Sequence, residues 1–218
     1  MKRFMIMATF LLFSKSVSSQ LLYAEWGQTI SSFDYENSAG GTLENLQPTI
    51  ASYIKAGYQF PLGGEAMTLT LGGSLHTYGA QASDALLDNY FEWNVSYVGM
   101  ETGLTYYFAR SRSFQFYIKP TLSLEYLIRG TQTLNNLVFT LSGEDEFDNL
   151  LLVPRMAIGL QYPISNKAAL FLNYSYGRSF SLVNARPEDN EQLNINMHQI
   201  GIGILIQLPG CRCAFKNF

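Results

Sequence analysis

Charge is scarce in this sequence. Of 218 residues only 31 are Asp, Glu, Lys or Arg, 14% of the chain, against about 25% in an ordinary soluble domain. Cysteine is scarcer still, with Cys211 and Cys213 alone. A single C-x-C offers two ligands where zinc takes four, and the nearest histidine, His198, falls on another predicted element. A vicinal disulfide or a plain two-thiol tail is the alternative, and no metal or cofactor is expected. Positive charge does not dominate either: the net charge is −3 and the pI about 5.4, so no nucleic-acid partner is indicated. The one apolar run, from Phe4 to Phe13, is too short for a helical span of about 20 residues. No stretch after residue 20 keeps helical apolar spacing for three turns.

Aromatic residues, by contrast, equal the charged ones in number: 2 Trp, 14 Tyr and 15 Phe. That richness excludes intrinsic disorder. Residues 1–19 have the layout of a secretory signal, with Lys2 and Arg3 ahead of the apolar run and small residues Val17 and Ser19 before Gln20. Removing them leaves 199 residues of net charge −6. Residues 20–208 then read as one domain, followed by a short tail at 209–218.

Alternation of period two recurs throughout that domain. It is clearest from Phe114 to Ile128, where Phe114, Phe116, Ile118, Pro120, Leu122, Leu124, Tyr126 and Ile128 share one face. Gln115, Tyr117, Lys119, Thr121, Ser123 and Glu125 share the other. Fifteen residues is long for a globular strand, usually five or six, but suits a tilted membrane strand. The pattern predicts eight strands near 22–35, 49–60, 67–78, 91–108, 114–128, 150–162, 169–182 and 195–208. The first is interrupted by Gln28 to Ser32, polar on both faces. The fourth is expected to change phase between Tyr97 and Gly99 through a bulge.

Connections alternate between long polar segments (36–48, 79–90, 129–149, 183–194) and short turns (61–66, 109–113, 163–168). Outer-membrane barrels show this pattern, with short periplasmic turns and longer external loops. Similar strand ends fall at 60, 108, 162 and 208, one hairpin pair apart. Alternation alone does not say which face meets the solvent, since a soluble lipocalin-like barrel also has eight strands but keeps its apolar side inside. Here the polar face is poor in charge and rich in small polar residues (Thr68, Thr70, Ser74, Asn173, Ser175). The apolar face carries aromatics near strand ends (Tyr58, Phe60, Tyr106, Phe108, Phe114, Phe116, Tyr162), where an interfacial girdle belongs.

With its signal, its amphipathic strands and hairpin ends such as Gly57-Tyr58-Gln59-Phe60 and Leu104-Thr105-Tyr106-Tyr107-Phe108, the chain resembles the small outer-membrane β-barrel domain family. The likeness is to OmpA/OmpX-like architecture, with PorT-like barrels nearer. The resemblance covers residues 20–208 and implies an all-β, eight-stranded, antiparallel up-and-down transmembrane barrel. It carries over no functional residue. Such barrels usually end on an aromatic of the last strand; here Pro209 to Asn217 separate Phe218 from it.

Six charges fall on the inferred interior face: Glu25, Lys55, Glu101, Lys119, Glu125 and Arg155. They sum to zero, and an eight-stranded barrel is only wide enough for side chains to fill. Glu101–Lys119 and Glu125–Arg155 are expected as diagonal pairs, forming an interior polar network; a proton path or gated pore is the sharper alternative. Ser74 and His76, two apart on one strand face, are the candidate catalytic pair of a lipid-modifying barrel, though no acid lies near them in sequence. His198 and Arg178 fall in outward phase near the loop end. The external segments hold Glu144, Asp145, Glu146, Asp148, Glu188, Asp189 and Glu191, without the spacing and glycine of a calcium loop. Thirteen acidic and three basic residues lie in or beside those segments.

The expectation is a non-catalytic outer-membrane barrel with both termini in the periplasm. Its partners would be outer-membrane lipid and an envelope or surface protein contacted through acidic loops. An outer-membrane lipid-modifying hydrolase and a secreted lipocalin-like carrier are the alternatives.

Overall fold

The computed structural model describes residues 20–36, 46–62, 66–84, 89–111, 113–141, 150–182 and 192–208. The signal segment, Cys211, Cys213, Phe218, Phe147 and the acidic runs at 144–148 and 188–191 lie outside the described residues.

The described chain is all β. Eight long strands are β1 (Leu21–Glu36), β2 (Gln47–Pro61), β3 (Met67–Asp84), β4 (Asn89–Arg110), β5 (Gln115–Leu134), β7 (Leu151–Ser165), β8 (Ala168–Arg178) and β10 (Gln192–Gln207). Two short ones, β6 (Leu137–Thr140) and β9 (Phe180–Ser181), extend the sheet at one end. Every long strand pairs antiparallel with the next, β5 with β7, and β10 returns to β1, so the sheet closes. Partners traced once round run Leu21, Gln59, Thr70, Gly103, Thr121, Arg155, Gly177, Met197 and back to Ser31, ten residues above the start. A stagger of ten over eight strands fixes a tilt of about 40° at normal strand spacings.

Alternation sets the two faces. In β5 the residues from Phe116 to Ile128 of the even face are exposed, while Tyr117, Lys119, Thr121, Ser123 and Glu125 are buried. The polar stretch in β1 splits in the same way: Thr29 and Ser31 point inward and are buried, and Gln28 points outward. The interior is narrow enough that the hydroxyl end of Tyr117 fills the space beside Gly159, where a Cβ would sit 2.1 Å from the ring.

Two expectations are corrected. β4 does not change phase: Val95, Tyr97, Gly99, Glu101, Gly103, Thr105 and Tyr107 all face inward. The irregularity beside Tyr97 is on the partner, since Ser96 pairs with Arg129 and Tyr97 with Leu127, leaving Ile128 as the extra residue of β5. Trp93, Val95 and Tyr97 are apolar like the outward residues further along β4, and a phase change follows if all of these share one face; instead they belong to an apolar layer inside the barrel. Segments 79–90 and 129–149 are also not simply loops. β3 runs to Asp84 and β4 starts at Asn89, while β5 runs to Leu134 and folds back as β6. The β5–β6 turn places Asn135 and Asn136 at φ 46° and 70°, which asparagine tolerates and β-branched residues do not. Asn136→Val is expected to fray this hairpin, raising hydrogen exchange at Gln132 and Phe139 and leaving the rest of the barrel protected.

Candidate functional site

Three layers fill the lumen. At the short-turn end Leu21, Tyr23, Tyr107, Tyr117, Ala169, Phe171 and Leu205 form an apolar floor. At the loop end Phe33, Tyr78, Val95, Tyr97, Leu127, Leu141, Leu151, Val153, Ile195 and Met197 form an apolar lid. Between them lie all six predicted interior charges, each no more than 3% exposed.

The pairing differs from expectation in one part. Arg155 does meet Glu125, donating through Nη2. Lys119, however, faces Glu25 at 3.8 Å, and Glu101 faces Lys55 at 3.6 Å. The register explains this: Glu101 stands opposite Ser123, two residues further along β5 than a turn-based count gives. Lys119 is thereby out of diagonal reach and turns to β1 across the lumen.

Sequence reasoning missed the tyrosines. Each carboxylate accepts a hydrogen bond from one: Tyr53 to Glu25 (2.7 Å), Tyr23 to Glu101 (2.9 Å) and Tyr78 to Glu125 (2.8 Å). The clue was available in strand parity, because residues 23 and 25, 53 and 55, and 76 and 78 share faces. Asn173 adds a donor to Glu25, and Ser123 one to Glu125. Arg155 spends its fork on Ser123 and Tyr78 as well as on Glu125. Buried charges are tolerable only when paired and hydrogen-bonded in this way.

His76 links the two halves of the network. Its ring stacks between Tyr53 and Tyr78, with centroids 5.5 and 5.7 Å away. Lys55 donates to Gln199 Oε1, which turns Gln199 Nε2 toward Thr29 Oγ1 and His76 Nδ1. An amide N–H can only donate, so Nδ1 accepts and the imidazole proton sits on Nε2, 3.7 Å from Glu125. The nearest acid thus stands across the lumen, beyond hydrogen-bond distance, and Nε2 has no hydrogen-bond partner among the described residues. Ser74 does not join His76: its hydroxyl is buried and has no hydrogen-bond partner among the described residues. Ser74 and His76 thus share a face without forming a nucleophile–base couple, deep inside the barrel.

The outer surface has the opposite character. Leu71, Leu75, Val98, Met100, Leu122, Leu124, Ile158, Leu172, Ile200 and Ile202 are exposed on every side of the barrel, and charge on the inside is buried. A soluble protein does not invert its polarity around its whole girth, whereas lipid requires this and requires closure of the sheet. The chain is a transmembrane β-barrel.

Tyr58, Tyr106, Phe108, Phe114, Phe116 and Tyr162 ring the short-turn end on the outside. Near the loop end Tyr174 and Tyr176 flank His198, with the Tyr174 hydroxyl 2.8 Å from Nδ1. Arg178 keeps its outward phase and donates to Asp34 at 2.9 Å, so a charge pair, rather than a lone cation, marks that rim.

In structure the chain is similar to small outer-membrane barrels. Neisserial surface protein A matches at 11% identity over 86% of this chain and 97% of that one, TM-score 0.49. The outer membrane protein OprG of Pseudomonas aeruginosa matches at 11% over 86% and 96%, TM-score 0.47. The attachment invasion locus protein Ail of Yersinia pestis matches at 10% over 86% and 99%, TM-score 0.43. No protein-family model and no curated protein matches the chain in sequence.

Proposed function

We propose that the protein is a non-catalytic integral component of a Gram-negative outer membrane, exported by residues 1–19 and seated with both chain ends in the periplasm. The observation that carries this reading is the lumen itself. Floor and lid are apolar, the six charges between them are matched to one another, and the cavity beside Lys119, Gln59 and Gln161 has a volume of about 10 Å³, room for roughly one water. A barrel filled in this way is a rigid support and not a conduit, so its working surfaces are its lipid belt and its external end. The first and last strands of the barrel support that seating: Leu21 of β1 and Gln207 of β10 pair with each other near the β2–β3 turn. In outer-membrane barrels the short turns are periplasmic, which supports an external position for the β3–β4 and β5–β6 extensions and, by their place in the sequence, for the acidic segments. Those segments suit contact with a surface or envelope protein, and the interior polar network holds the barrel in shape beneath them.

Purified full-length protein is expected to migrate faster on a detergent gel before boiling than after it, and to sediment with membranes after lysis. Recovery in a detergent-free supernatant would sink the reading. Ser74→Ala and His76→Ala are expected to leave any lipid hydrolysis by purified protein at the background rate; activity that vanishes with either substitution would establish an enzyme instead.

A further inference from the structure

The bulge in β5 turns a cation onto the outer wall of the barrel. Leu127 is buried, Ile128 is the extra residue, and Arg129 is exposed opposite Ser96. Re-aiming a side chain in this way is a regular use of a bulge. Ser96 of β4 stands in turn opposite Thr77 of β3, with their hydroxyl oxygens 3.1 Å apart. Arg129, Ser96 and Thr77 therefore make one polar row across three strands, with no acid in it. Arg129 makes no hydrogen bond, ion pair or ring contact among the described residues. Arg178, also outward near the loop end, is by contrast already held by Asp34 at 2.9 Å.

The row lies at the upper edge of the lipid belt. Leu122 is the midpoint of the outward apolar row of β5, and Arg129 follows it by seven residues, one of them taken by the bulge. Six steps of about 3.3 Å on a strand tilted by about 40° lift Arg129 about 15 Å above Leu122. Half of the apolar band is about 12 Å, so the guanidinium stands at the height of lipid phosphates. Directly beneath the row Leu75, Val98 and Tyr126 lie in register, all outward and exposed. An acyl chain descending from a headgroup at Arg129 would lie along that apolar track.

We propose that Arg129, Ser96 and Thr77 bind the phosphate of a lipid in the leaflet at the loop end. A guanidinium meets two phosphate oxygens with two parallel N–H donors, a match of shape as well as charge. Of the two hydroxyls, one donates to the other, and the acceptor keeps its own hydrogen for a further phosphate oxygen. The apolar track favours a lipid over a free anion, because only a lipid gains from covering Leu75, Val98 and Tyr126. Arg178 offers no equal site, since Asp34 already matches its charge and would repel a phosphate. The proposal rests on the membrane reading above, which makes this leaflet the external one, and adds to it a headgroup chemistry and a point of contact.

The test is a lipid titration of the full chain in detergent, read by native mass spectrometry, with phosphatidic acid as the probe. Diacylglycerol of the same chains and inorganic phosphate are the controls. One phosphatidic acid is expected to be retained, diacylglycerol is not, and inorganic phosphate at equal concentration is not expected to displace the lipid. Arg129→Gln is expected to weaken retention at least about tenfold, and Thr77→Val with Ser96→Ala by a smaller factor. Arg178→Gln removes the same charge elsewhere on the rim and is expected to leave retention as in the parent. Unboiled gel mobility checks that each variant is folded. Folded Arg129→Gln that retains the lipid like the parent would overturn the site. Equal weakening by Arg178→Gln would overturn it too, by showing attraction to net charge alone, and displacement by inorganic phosphate would overturn the lipid as its occupant. All three results leave the membrane reading intact; that reading fails separately, if the protein stays soluble without detergent.

Discussion

Arg155→Met is expected to destabilise the folded barrel by about 3–5 kcal/mol, the usual cost of stranding one partner of a buried ion pair. The guanidinium serves Glu125, Ser123 and Tyr78 together, and Glu125 is fully buried at the level of His76. Once the arginine is gone, the nearest cationic candidate is His76, whose Nδ1 already accepts from Gln199. Arg155→Lys keeps the charge but cannot span three acceptors with a planar fork, so an intermediate loss is expected. The second substitution is diagnostic: Arg155→Met with Glu125→Gln removes the stranded charge and should recover a large part of the loss. Urea titration of vesicle-folded protein, followed by unboiled gel mobility, measures all three. If the double variant is no better than Arg155→Met, the cost lies in packing around the methylenes and not in the ion pair.

How far the sequence foretold this centre depended on whether the information was local. Strand parity is local, so the inward charges were legible from residues 25, 55, 101, 119, 125 and 155 alone, as were the outward residues of β5. Partner choice is not local. It follows from the ten-residue stagger, which carries each strand past its neighbour and brings Glu25 to Lys119 and Gln199 to His76 across the lumen. A count outward from each turn cannot supply that, because the β4–β5 turn region contains a register shift between Tyr107 and Ala109. The apolar lid misled for a different reason. In a membrane barrel apolar residues on one face usually mark lipid, yet Trp93, Val95 and Tyr97 are near the loop end, where an inward apolar cluster seals the lumen against water. Composition does not separate those two uses of an aromatic. The strand extensions beyond the belt were hidden likewise: Thr131, Gln132 and Thr133 look like loop residues by polarity, but above the membrane a strand has no apolar face to advertise.

Leu122→Lys should separate a barrel in lipid from one in water by the size of its effect. Leu122 faces outward on β5, 43% exposed, between Pro120 and Leu124 and opposite Thr102 and Pro154 on the neighbouring strands. It lies well inside the ends of the outward apolar row from Phe116 to Ile128, too deep for a lysine to reach either rim without bending along the strand. A cation on the lipid face near the bilayer centre costs about 2–4 kcal/mol, so the variant should unfold from vesicles at distinctly lower urea than the parent. On a soluble barrel the same change adds a solvated charge to an exposed site, where effects usually stay within about 0.5 kcal/mol. Tyr126→Lys provides the depth control. It lies one turn of the alternation below Ile128, closer to the loop-end rim, and the penalty on the lipid face falls toward zero at the interface. A graded loss, large at Leu122 and small at Tyr126, is the result that lipid predicts; equal and negligible losses at both positions would mean that the outward apolar belt faces something other than a bilayer.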